Sequence, residues 1–217
     1  MPAFNPRALA LVAGTIALVV FWHSPLLFPF RLFVVLAHEL GHATAAWISG
    51  GSVERISLRL DESGDTLTRG GSPFLILNAG YLGSLLFGVV QLVVTSRGGS
   101  ARWACHALGA GTLVLAGFFV RPILSTGFGY CLVAGLGYAL VGRFAPESGA
   151  RALVRGTGLF AILYAFRDIV DDVFIAGAGD ASALATATHV PAVVWGGLWM
   201  VAGCAALWLF RRGILGR

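Results

Sequence analysis

Seven apolar runs follow one another along this chain: Ala8–Trp22, Leu26–Ile48, Pro73–Val94, Trp103–Val120, Ile123–Val141, Ala152–Ile175 and Pro191–Phe210. A helix needs roughly 20 apolar residues to cross a bilayer core, and inside lipid a helix satisfies every backbone hydrogen bond within itself. Repeated runs of this length therefore point to a bundle of membrane helices. Composition agrees, with 57% hydrophobic and 12% charged residues, where a soluble domain carries about 25% charged ones. So few charges cannot coat a water-soluble domain, and so apolar a chain is not disordered. The expectation is an all-α polytopic protein, integral to a membrane (the cell membrane) and multi-pass. It has six or seven transmembrane helices in one domain spanning residues 1–217. The first run is short enough for a signal-peptide core, but His23, Ser24 and Pro25 follow it in place of a small-residue cleavage site, so a retained span is expected. The fifth run carries Gly127, Gly129, Gly135 and Gly137 and is expected to be broken or re-entrant if there are six spans.

The net charge of +5 comes from 15 basic residues, all arginine. Apart from Arg211 and Arg212 they stand singly between apolar runs, as interfacial anchors do, and form no face that nucleic acid would need. Cys105, Cys131 and Cys204 sit in separate apolar runs without CxxC spacing and read as small packing residues.

One stretch between runs has a character of its own. In Gly51–Gly71, Ile56, Leu58 and Leu60 alternate with Arg55, Ser57 and Arg59. A turn-like Asp61–Asp65 follows, and then Thr66, Leu67 and Thr68, which together predict a short β-hairpin.

The second run holds His38-Glu39-Leu40-Gly41-His42. Residues four apart on a helix share a face, so both imidazoles can reach one metal ion. Glu39 is offset by about 100° around the helix and can reach the water that such an ion activates, taking its proton and passing it to a leaving amine. On the order of 0.002 such pentapeptides are expected by chance in this composition, at the spacing metallopeptidases use. Ionisable groups amid an apolar run cost about 2.5–3.5 kcal/mol each on insertion scales, which argues for function over helix-to-helix bonding.

A third ligand is needed. The hairpin acids Glu54, Asp61, Glu62 and Asp65 lie in a polar stretch and read as solvated loop charges. His106 stands alone near the start of an apolar run, and His189 lies between runs. The tract Asp168, Asp171 and Asp172 differs, since helical spacing places these acids on one face with apolar residues on both sides. A helix end reaching water, with Arg167 pairing locally, is one reading. Asp168 as metal ligand is the other, with Asp172 or Asp171 as a second ligand or as a carboxylate orienting a histidine N–H. Asp168 is the first choice and Asp172 the second. Gly80, Ser84 and Gly88 recur every four residues, as close helix packing requires. Asn78 in the same run is read first as an interhelical hydrogen bond and second as a group steadying a substrate carbonyl.

HELGHA (His38–Ala43) within an apolar run resembles the site-2 proteases, a family of intramembrane zinc metallopeptidases. GDTLTRGGSPFLILNAGYLGS (Gly64–Ser84), YAFRDIVDD (Tyr164–Asp172) and Trp195-Gly196 resemble its B-like branch. The resemblance covers roughly half the chain. It implies zinc, peptide-bond hydrolysis in or near a membrane segment, His38 and His42 as ligands, Glu39 as catalytic acid and base, and a hairpin that guides an extended substrate. Better-known members carry an Asp-Gly dipeptide on a later span; this chain has none, so Asp168 is expected in that role. Partners are then a membrane-protein or peptide substrate and the lipid bilayer. The rival readings are a non-catalytic metal-binding membrane protein and, behind it, a metal transporter, whose ligands would be spread over several depths.

Overall fold

The computed structural model describes residues 9, 12–16, 20–96, 98–177 and 179–215. Of the expected first span, Ala8–Trp22, residues 8, 10, 11 and 17–19 lie outside these residues, and 9, 12–16 and 20 are helical. A single turn of 3₁₀ helix at Pro25–Leu27, capped by the Ser24 hydroxyl, leads into α1, Phe28–Ile48. Pro29 in its first turn costs no hydrogen bond there. Gly50, at φ +83°, ends the helix and turns the chain into β1, Ser52–Leu58. The antiparallel partner is β2, Gly64–Arg69, with Ile56 opposite Thr66 and a bulge between Val53 and Arg55. Then come α2 (Pro73–Ser96), α3 (Ala101–Phe118), α4 (Thr126–Phe144) and α5 (Glu147–Ile169). A π-helical segment, Val170–Ala176, continues α5, and α6 (Gly179–Thr188) and α7 (Ala192–Leu215) complete the described chain.

The predicted hairpin is present, and its alternation is partly as expected. Ile56 and Leu58 are buried, whereas Leu60 lies beyond the strand and is exposed. Burial of β1 follows from its position: its other edge pairs with the chain after α3, where Ile56 N–H donates to Phe119 O (2.8 Å) and Arg121 N–H donates to Ile56 O (2.9 Å). The hairpin tip is tied down to α1 by Arg31, whose Nε donates to Glu62 Oε1 (2.8 Å) and whose Nη1 donates to Trp22 O (2.5 Å).

Among the described residues, four helical stretches are long and apolar enough to span a membrane: Pro25–Ile48, Pro73–Ser96, Thr126–Phe144 and Ala192–Arg212. Six or seven were expected. The expected first span lies partly outside the described residues, while α5 carries Glu147, Arg151, Arg155, Arg167 and Asp168, and α3 opens with Arg102 and includes His106, which lowers the hydropathy of both. The glycine-rich fifth run is not broken; it forms one helix of 19 residues. Its glycines allow close approach: a Cβ on Gly135 would meet Gly109 O at 3.1 Å on α3.

The core is centred on α2, which packs along α1, α5 and α7. The crossings are tight because small residues meet there. A Cβ on Gly83 would lie 2.8 Å from Gly41 Cα, and one on Gly88 would lie 2.5 Å from Gly158 O. The GxxxG-like spacing read in the sequence serves this close packing at Gly88, while Gly80 has a different task.

Candidate metal and active site

α1 presents His38 and His42 one turn apart, their rings edge-on with centroids 4.8 Å apart. The third group to join them is Asp180, in the first turn of α6. Asp180 Oδ2 lies 3.2 Å from His38 Nε2 and 3.3 Å from His42 Nε2. One ligand atom from each residue falls within 4.8 Å of the others. Among the described residues this is the one group of three or more histidine, cysteine or carboxylate side chains so disposed.

Asp180 escaped the sequence reading, which placed the third ligand at Asp168 or Asp172. The backbone explains the difference. The helix widens to a π turn at Val170, Gly177 adopts a left-handed conformation (φ +64°), and Gly179 follows at φ +73°. That reversal aims α6 back at α1 and delivers Asp180 to the imidazoles. A Gly-x-Gly-Asp sequence at the end of an apolar run was the one signal available: two glycines for a chain reversal and an acid at a helix start.

The donor set fits a divalent ion of zinc's type, which favours two imidazoles and a carboxylate. Asp180 Oδ2 is buried beside both Nε2 atoms yet takes part in no directional hydrogen bond. The three atoms thus converge without satisfying one another, as ligands around a common centre do. His42 Nδ1 is 2.7 Å from Ile76 O. It donates its proton there, which leaves the Nε2 lone pair facing the centre. Gly80 makes the room: a Cβ at this position would collide with His38 Nε2 and lie 2.7 Å from Asp180 Oδ2.

Glu39 is buried next to this group. Its Oε2 accepts from the Thr66 hydroxyl (2.7 Å), which also donates to the Glu39 carbonyl (3.1 Å). Strand β2 therefore orients the carboxylate. Gly64 lets the strand approach, since a Cβ there would lie 2.5 Å from Glu39 Oε1.

A cavity of about 440 Å³ encloses these groups between α1, β2, α2, α5 and α6. Asp168 and Asp172 line it but stand outside the three-residue group. Asp172 Oδ2 accepts from the Tyr81 hydroxyl (2.7 Å), and Tyr81 packs edge-on against His38, centroids 4.8 Å apart. Asp171 was expected on the same face; it turns away to Arg167 (3.0 Å), because the wider π turn separates positions that an α-helix would align.

None of the other candidates joins the three-residue group. Glu54 pairs with Arg69 (2.7 Å), Glu62 with Arg31 (2.8 Å) and Asp65 with Arg59 (2.6 Å). The Asp61 carboxylate accepts from the Ser63 hydroxyl and N–H, which hold it below the usual range. His106 packs against Trp103 and beside Gly142. His189 lies in the link between α6 and α7 at φ +59°. Asn78 joins helices, its Oδ1 accepting from Trp199 Nε1 (2.8 Å), and does not line the cavity.

A helical bundle with apolar, membrane-length helices, an HExxH helix, a carboxylate returned to it and a cavity of about 440 Å³ around them has the features expected of a membrane metallopeptidase. A family model of Peptidase M50B-like proteins matches residues 11–210, and the chain belongs to that family. Neither the curated proteins nor the solved structures give a significant match to it.

Proposed function

We propose that the protein is a zinc-dependent intramembrane peptidase that hydrolyses a peptide bond in or near a membrane segment of its substrate. The observation that carries this reading is the meeting of His38, His42 and Asp180 beside Glu39 in one cavity. His38, His42 and Asp180 would hold the zinc, with Asp168 and Asp172 lining the cavity around it. Such an ion would supply Lewis acidity toward a water molecule and the scissile carbonyl. Glu39, steadied through Oε2 by Thr66, takes the proton from water on its other oxygen and returns it to the leaving amine.

Water enters beside the hairpin tip, where Glu62, Ser63 and Asp65 line the cavity mouth. The substrate lies extended along β2. Strand β1 is paired on both sides, with β2 and with the chain after α3, whereas β2 has a partner on one side alone among the described strands. An unpaired strand edge next to the general base supplies main-chain hydrogen bonds to an extended peptide. The gathering of all ligands at one centre is what distinguishes this reading from a transport pathway, whose ligands succeed one another in depth.

The test uses the full chain purified in detergent. Wild type contains about one zinc per chain, the occupancy of a single catalytic centre, and cleaves a membrane-segment peptide. Glu39→Gln keeps the zinc and loses cleavage by about 10²–10⁴-fold, the range for a general base. Asp180→Ala loses the zinc, while Asp168→Ala keeps it. Full cleavage by Glu39→Gln overturns the reading, and full zinc in Asp180→Ala overturns the ligand assignment.

A further inference from the structure

Six carboxylates line the main cavity: Glu39, Glu62, Asp65, Asp168, Asp172 and Asp180. Five have partners or tasks. Glu62 and Asp65 are neutralised by Arg31 and Arg59, Glu39 is held by Thr66, Asp172 takes the Tyr81 hydroxyl, and Asp180 joins the two histidines. Asp168 alone accepts no hydrogen bond and forms no ion pair among the described residues, although it is partly buried. A divalent ion would be balanced by Asp180 and Glu39, so the Asp168 carboxylate has no counter-charge of its own, and partial burial disfavours its ionised form unless a cation meets it.

The surroundings show where that cation comes from. A side pocket of about 150 Å³ adjoins the main cavity, with Glu62, Tyr164 and Asp168 lining both. It has room for about five water-sized groups at roughly 30 Å³ each, the number of non-hydrogen atoms in a lysine side chain. Trp22 and Tyr164, stacked on each other with centroids 5.5 Å apart, are among its lining residues. The lining is mostly polar, with acidic groups beside aromatic rings, which suits the charged end of a basic side chain. The chemistry already occurs there once: the Arg167 guanidinium lies over the Trp22 ring at 4.7 Å and pairs with Asp171 at 3.0 Å. His23 and Arg167 also face the pocket, and with Arg167 engaged by Asp171 the open carboxylate is Asp168.

We propose that Asp168 and this side pocket form a subsite for a basic side chain, so that the peptidase selects substrates with a lysine or arginine near the bond it cuts. The word substrate here rests on the peptidase reading; the binding of a basic side chain does not. In this role Asp168 sets specificity and takes no part in the bond-breaking step.

The experiment uses the zinc-loaded full chain carrying Glu39→Gln in detergent, so that peptides stay intact. Two end-blocked apolar peptides, identical except for a central lysine or its uncharged analogue norleucine, are titrated against it by calorimetry. The lysine peptide binds at least tenfold more tightly. Asp168→Asn, added to the same protein, removes that preference with zinc content unchanged, and Asp168→Glu retains part of it. Equal binding of the two peptides to the protein with Asp168 intact overturns the proposal whether or not the variants fold, and so does a preference that survives Asp168→Asn. Cleavage assays separate the two levels. If wild type cleaves neither peptide but the lysine preference in binding persists, the peptidase reading fails and the subsite stands. If wild type cleaves both peptides and binding shows no preference, the subsite fails and the peptidase stands.

Discussion

Gly80 offers a test in which the fold and the metal site respond in opposite directions. It lies inside α2, where alanine favours the helix by about 0.8–1.0 kcal/mol over glycine. An added Cβ, however, would enter the space between the ligands, 2.7 Å from Asp180 Oδ2 and closer still to His38 Nε2. Ordinary contact begins near 3.5 Å, so the carboxylate and the imidazole must each retreat by the better part of an ångström. Ligand distances in metal sites tolerate about 0.2 Å. We therefore expect Gly80→Ala to weaken zinc by at least 100-fold, about 2.7 kcal/mol. At free zinc equal to about 1,000 Kd, the wild type gains about 4.1 kcal/mol from the metal, and a hundredfold weaker site keeps about 1.4 of it. The assay is thermal unfolding of the full chain in detergent with and without zinc, alongside direct metal titration. Metal-free Gly80→Ala melts at or above the wild-type temperature, and most of its zinc-dependent rise disappears. Gly88→Ala is the control: its Cβ meets the Gly158 carbonyl at 2.5 Å, remote from the ligands, so it lowers the metal-free Tm and leaves zinc affinity intact. Wild-type zinc affinity in Gly80→Ala would refute the placement of the metal between these three side chains.

Two further outcomes follow from single contacts. Thr66→Val removes the hydroxyl that orients Glu39 at nearly constant volume; kcat falls by about 10- to 100-fold, as for other partners that orient site residues, with KM and zinc content little changed, and Thr66→Ser restores it. Glu147, at the start of α5, accepts from the Ala101 N–H (2.6 Å) and pairs with Arg151 (2.7 Å), and the Ala101 N–H above all holds its carboxyl below the ordinary glutamate value. Its contribution to stability is thus present above about pH 4.3, the unfolded value, and is lost as pH falls through the lower folded one. The Tm difference between wild type and Glu147→Gln, followed from pH 7 downward, should narrow across that acid window, and a difference that widens there contradicts the linkage.

Much of the site was legible because its logic is local. The i, i+4 histidines and the adjacent glutamate depend on helical geometry alone, and one apolar run was enough to predict that helix. The hairpin was legible for a similar reason, as alternation over a few residues reports a strand with one buried face. Asp168 and Asp172, expected as ligands, line the cavity but stand outside the three-residue group. Which acid meets the histidines was not legible, because the reading assumed α-helical spacing to continue through Asp172. A π turn replaces it at Val170, and no period in the sequence marks that change.

The sequence by itself pointed to an integral membrane protein of mostly helical structure, with two histidines one turn apart and a glutamate beside them on one helix. These depend on composition and on spacings within a turn or two of backbone. Tertiary structure alone decided that Asp180 joins His38 and His42, that Thr66 orients Glu39 and that Asp168 is left without a partner beside a side pocket. Each of these is a meeting of segments distant in the chain, set by the left-handed Gly177, by close approach at Gly64 and Gly80, and by Arg31 holding the hairpin over the helix. Hydrophobic pattern fixes which residues are buried in a segment, whereas the partner each buried polar group finds depends on how helices cross and where the chain reverses.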